Sequence, residues 1–118
     1  MILSKTIGII ANEVKAQLSN KTEDHLKLLD AIAKMPKYYN QKRLDLWEQN
    51  YTKIYKALPL KSKKDHNISI IKNLFDLGAH NLYGAFEKKT TIKKYKELVT
   101  ELSTYGITIP SNLDVSDW

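Results

Sequence analysis

The chain has no cysteine. That single absence removes disulfides, thiolate zinc sites and a cysteine nucleophile together. Arginine is almost missing too: of nineteen cationic side chains, only Arg43 is arginine. Base-edge readout and bidentate clamps on phosphate or carboxylate favour arginine. A surface built almost wholly from lysine suits diffuse attraction to phosphate or acidic partners instead. No apolar run approaches the length of a membrane span. The N-terminal "MILSKTIGIIANEVKAQ" is broken early by Lys5 and lacks a basic leader and a small-residue cleavage site, which predicts a cytoplasmic protein rather than a secreted one.

Catalytic signatures are also absent. There is no GxxxxGK[ST], GxGxxG or GxSxG. His25, His66 and His80 lie far apart, with no second histidine or carboxylate at the spacing of HExxH. Asp65 reads as a helix cap beside its neighbour His66. Glu23 and Asp24 read as first-turn partners of a helix dipole rather than as a general acid and base. In the HEPN-type ribonucleases an arginine is followed about five residues on by histidine; here Arg43 is followed by Glu48. The sequence therefore predicts no catalytic, cofactor-binding or metal-binding residue, no cofactor and no small-molecule ligand.

What is present is helical. Apolar residues at 42% and charged residues at 27% of 118 fall in the ordinary globular range, and the length suits one domain. Leu3, Ile7, Ile10, Val14 and Leu18 follow one helical face. "SNKTED" breaks it, with Asn20 and Glu23 spaced as a capping box and Thr22 as a rival cap. A second helix carries Leu26, Leu28, Leu29, Ile32, Ala33 and Met35 before Pro36. A third runs from about Asn40 to Leu58, with Pro59 as its stop. After the basic connector "LKSKKDH", Asp65 caps a fourth helix bearing Ile68, Ile71, Phe75, Leu82 and Phe86, reaching toward Glu87. A fifth presents Ile92, Tyr95, Val99 and Leu102, and Gly106 is its C′ residue. The expected fold is all-α: an antiparallel bundle of four or five helices over residues 1–106, with a short C-terminal tail over 107–118. Short connections favour antiparallel neighbours. In the tail, Ile107, Ile109, Leu113 and Trp118 offer apolar groups to bury.

The net charge of +6 is unevenly placed: +1 over residues 1–34, +6 over 35–64 and −1 over 65–118. The basic segment contains "PKYYNQKRLDLWEQNYTKIYKAL", which mixes rings with cations. At about 100° per residue, Leu44, Trp47, Tyr51, Ile54, Tyr55 and Leu58 share one arc. Lys42, Gln49, Lys53 and Lys56 fall opposite. A stacking platform for single-stranded nucleic acid needs rings and cations on the same exposed face, so the rings are predicted to be core. The candidate binding residues are Tyr38, Tyr39, Lys42, Arg43, Lys53, Lys56, Lys61, Lys63 and Lys64, with Trp118 in the tail.

Two resemblances bear on function. "LYGAFEKKTTI" is similar to the close of the helix-turn-helix in tetracycline-repressor-type regulators through Leu82, Tyr83, Phe86, Lys89 and Ile92. Gly78 lies about two residues too near Tyr83 for that motif, and Gly78, Ala79, Gly84 and Ala85 read instead as small residues for close helix approach. In length, basicity, lack of cysteine and its late helix "TTIKKYKELVTELSTYG" followed by "ITIPSNLDVSDW", the chain resembles the small immunity proteins that protect lactic-acid bacteria from class II bacteriocins. That resemblance implies a non-enzymatic cytosolic protein acting on a protein assembly at the inner membrane face. Its lysines would suit an acidic partner or an anionic leaflet, with peripheral membrane contact. The alternative expectation is a basic nucleic-acid-binding accessory or regulator from a phage or plasmid.

Overall fold

Helical periodicity sets every element. The structure, a computed structural model, describes residues 2–36, 40–63, 65–82 and 88–110. These form α1 (Ile2–Gln17), α2 (Glu23–Ala33), α3 (Gln41–Lys56), a one-turn α4 (Leu60–Lys63), α5 (His66–Leu82) and α6 (Lys88–Thr104). No strand occurs among the described residues, and the fold is an all-α helical bundle. The connector expected as plain loop thus holds one helical turn. None of the described helices is long and apolar enough to cross a membrane.

The centre of the bundle is α5, which packs against α1, α2, α4 and α6, while α2 joins α1, α3 and α5. This position explains why α5 buries more than the predicted Ile68–Ile71–Phe75 stripe. Ile70, Leu74, Leu77 and Ala79 are buried as well, because neighbours cover it on several sides. Gly78 allows one of these approaches: an added Cβ there would lie 3.2 Å from the Met35 sulfur and 3.5 Å from the Trp47 ring. The close-approach reading of Gly78 therefore holds, and Ala79 is buried; Gly84 and Ala85 lie outside the described residues, as do Phe86 and Glu87.

Along α1, Ile7, Ile10, Val14 and Leu18 turn inward as expected. On α2 the buried apolar set is Leu28, Leu29, Ala31 and Ile32, followed by Met35, whereas Ala33 ends the helix facing outward. On α6 the expected face is rotated. Thr91, Leu98 and Leu102 are buried, and Ile92, Tyr95 and Val99 are only partly so. Two registers one residue apart share Tyr95 and Leu102, and packing selects the one that buries Thr91 and Leu98.

Helix ends are capped locally, and two of the caps are tied to each other across the sequence. Thr22, not Asn20, caps α2; Asn20 instead takes the left-handed turn at φ 54°, which asparagine tolerates. The box partner is His25: its Nδ1 accepts from the Thr22 amide at 2.9 Å, and its own amide donates to the Thr22 hydroxyl at 3.4 Å. An amide can only donate, so Nδ1 must accept and the ring proton sits on Nε2. That Nε2–H points at Asp65 Oδ2, 3.1 Å away. The other Asp65 oxygen caps α5 by accepting from the Asn67 amide at 2.9 Å, and Asn67 Nδ2 donates to the Ser19 carbonyl. Asp65 is therefore the cap the sequence indicated, but its histidine partner is His25 rather than His66. His66 lies instead 3.4 Å from the Tyr105 hydroxyl.

At its C-terminus α6 closes in a Schellman turn. Gly106 has φ +79°, the Ile107 amide bonds the Leu102 carbonyl and the Gly106 amide bonds the Ser103 carbonyl. The first tail residues are docked. Ile107 and Ile109 are buried, and the Gln17 side chain pairs with both backbone groups of Thr108, at 2.8 and 2.9 Å. Leu113 and Trp118 lie outside the described residues.

Among the described residues one core group is unsatisfied. The Tyr51 ring stacks on Phe75 at a centroid distance of 3.9 Å, yet its buried hydroxyl has no hydrogen-bond partner. Burial, followed by the nearby Asp76 carboxylate and Tyr55, raises its pKa above the ordinary 10.0. The sign follows directly: a neutral phenol costs nothing extra below pH 10, and stability falls only as pH rises beyond it. A buried donor without a partner is a net loss relative to a methine of the same shape. Tyr51→Phe is therefore expected to leave stability unchanged or raise it by up to ~1 kcal/mol at pH 7, and to reduce its alkaline decline. Urea titrations at pH 7 and above pH 10 check this; a loss above ~1 kcal/mol at pH 7 contradicts it.

Candidate partner-binding surface

The surface is organised by α3. Asn40 starts the helix by accepting the Arg43 amide at 3.0 Å through Oδ1, which places Leu44, Trp47 and Tyr51 inward. Ile54 and Tyr55 pack against the core at its edge. The Trp47 ring lies 4.8 Å from Phe75, and its Nε1–H points at the carbonyls of Ala31 and Ile32, 2.9 and 3.3 Å away. These carbonyls end α2 and also accept the Lys34 and Met35 amides, so the indole is an additional donor there. Trp47 thereby ties α3 to α2 and leaves no ring face for stacking.

With the rings committed to the core, Lys42, Arg43, Lys53 and Lys56 occupy the exposed side, and Lys61 on α4 is exposed as well. Lys63 belongs to the α4 turn, but its side chain is not among those described. Tyr38, Tyr39, Lys64 and Trp118 lie outside the described residues. None of the ion pairs among the described residues involves Lys42, Arg43, Lys53 or Lys61.

One important residue was not expected. Leu46 is 57% exposed, and it stands on the cationic side of α3. Arg43 precedes it by three positions and Lys42 by four; Gln49 and Asn50 follow by three and four, which makes all of them helix-surface neighbours. A shallow groove beside it is bounded by Lys34, Pro36, Arg43, Trp47 and Asn50. The signal was available on the helical wheel: Leu46 is the apolar residue that falls outside the ring arc. Lys34 and Pro36 were hidden because they come from the preceding helix and turn.

An apolar side chain flanked by cations can seat in an acidic partner's apolar depression, with charge guiding encounter. Among the described residues no cluster of histidine, aspartate and glutamate could hold a metal ion. Comparison with known proteins finds no matching family model, no matching curated protein and no matching solved structure.

Proposed function

We propose that this chain is a non-enzymatic binding protein of the immunity or inhibitor type, acting on an acidic protein partner through the outer face of α3. The observation that carries the reading is Leu46, exposed in the middle of a face whose other members are Lys42, Arg43, Gln49, Asn50 and Lys53. An exposed leucine beside arginine suits the apolar centre and charged surround of a transient interface. Lysine-rich surroundings speed encounter with an acidic surface.

Expressed in strains sensitive to a panel of class II bacteriocins, the chain is expected to protect against at least one of them. Leu46→Asp combined with Arg43→Glu is expected to abolish protection without shifting thermal unfolding, because both side chains are exposed. No protection across the panel rules out the immunity version. Protection that survives the double substitution places the interface elsewhere.

A second reading, binding to nucleic-acid phosphates, draws on the continuation of exposed cations from α3 to Lys61. It requires affinity that falls steeply with salt, with a slope lowered by neutralising Lys61, Lys63 and Lys64. Binding to duplex and single strands that ignores salt sinks it.

A further inference from the structure

The outer face of α6 carries charges in an order that its own helix disfavours. Lys89 and Lys93 stand near the N-terminal end, whereas Glu97 and Glu101 stand toward the C-terminal end. A helix dipole favours the reverse arrangement, and a lysine four residues before a glutamate is the poorer orientation for a pair within one helix. The four residues are spaced by four, so they form a single continuous ridge. Lys89, Lys93 and Glu97 are exposed and Glu101 is partly so. Ile92, Lys96 and Thr100 line the same open groove beside them.

Within the chain these charges are poorly used. Among the described residues Glu97 pairs only with Lys94, at 3.9 Å, and Glu101 has only a 3.4 Å contact from Asn73 Nδ2. Lys89 and Lys93 enter none of the ion pairs among the described residues.

We infer that this ridge is the contact surface for a second copy of the same chain, docked antiparallel on α6. Read forward the ridge is plus, plus, minus, minus; read backward it is its own complement. A two-fold axis through the level of Tyr95 sets Lys93 of one copy against Glu97 of the other, and Lys89 against Glu101. Symmetry repeats both pairs, giving the self-complementary patch that a two-fold dimer requires. Packing of four-spaced ridges, the commonest helix–helix geometry, lays two such ridges side by side along their length. A parallel arrangement sets lysine against lysine and is excluded. Ile92 supplies apolar contact beside the charges, and a contact of this size between exposed groups makes a weak, reversible dimer.

The test exchanges charges in the full chain. Wild-type protein is expected to show concentration-dependent self-association by sedimentation equilibrium at physiological salt. Lys89→Glu with Lys93→Glu, and separately Glu97→Lys with Glu101→Lys, are each expected to weaken it by at least ~tenfold. The first variant does so although it lowers the overall positive charge and with it the general repulsion between copies. Mixed one to one, the two variants are expected to associate with each other. Both exchanges match the helix dipole better than the native order while lining up like charges four residues apart, and melting temperatures close to that of the wild type check that folding is preserved. A wild-type chain that stays monomeric throughout overturns the inference, as do variants that self-associate like the wild type or a mixture that fails to pair.

Discussion

Trp47→Ala is expected to destabilise the protein by about 4–5 kcal/mol, the largest effect of any single substitution considered. Three losses coincide at this position. The side chain is 5% exposed, so removing it leaves a cavity between α2, α3 and α5 beside Phe75 and the Met35–Gly78 contact. Truncation of a buried tryptophan costs about 3–5 kcal/mol on transfer and cavity terms alone. The Ala31 and Ile32 carbonyls also lose their indole donor at a helix end. A domain of this size has about 5–15 kcal/mol in total, so the variant is expected to be largely unfolded in mild denaturant. Trp47→Phe separates the contributions: it keeps an aromatic ring against Phe75 and removes the N–H, at a cost of about 1–3 kcal/mol. Urea unfolding of both variants measures the difference. If Trp47→Ala loses less than about 2 kcal/mol, Trp47 does not join α3 to the bundle.

The legibility of this fold follows from how local each determinant is. The inward arc of α3 was readable because Leu44, Trp47 and Tyr51 repeat at the helical period within one segment. The Asp65 cap and the Gly106 turn were readable because each depends on one residue's chemistry at a chain break. The α6 face was misjudged by one position because a sparse apolar pattern fits two registers, and only packing against α5 selects Thr91, Leu98 and Leu102. Polar ties between distant segments have no period. Nothing in the sequence pairs Gln17 with Thr108 across 91 positions, or His25 with Asp65 across 40. The lysines of the candidate surface were legible because an exposed helix face is defined by what lies opposite it. Leu46 was legible only as an exception to the apolar arc, an exception whose meaning depended on its exposure.

The second large effect is expected where α2 and α5 are joined. His25→Ala should cost about 3 kcal/mol and Asp65→Ala about 2 kcal/mol, with strong coupling between them. His25 is a buried ring, 3% exposed at its side chain, and it does two jobs through opposite nitrogens. Nδ1 accepts the Thr22 amide to cap α2, and Nε2–H donates to the carboxylate that caps α5. Because Thr22 fixes the tautomer, Asp65→Asn offers no equivalent: its oxygen can cap α5 or accept from His25, but its amide group cannot accept from Nε2–H. The asparagine variant is therefore expected to lose the link to His25 while keeping the cap on α5, a smaller loss than that of the alanine variant. His25→Gln restores the capping box, since glutamine at this position also reaches back to the Thr22 amide. It should recover part of the loss without restoring the link to α5. A double-mutant cycle on His25 and Asp65 is expected to give a coupling of about 1–2 kcal/mol, because each single alanine substitution strands the other's hydrogen-bonding group. Additive losses in that cycle would mean that the two helix ends are held independently, and that the 3.1 Å contact contributes no joint stability.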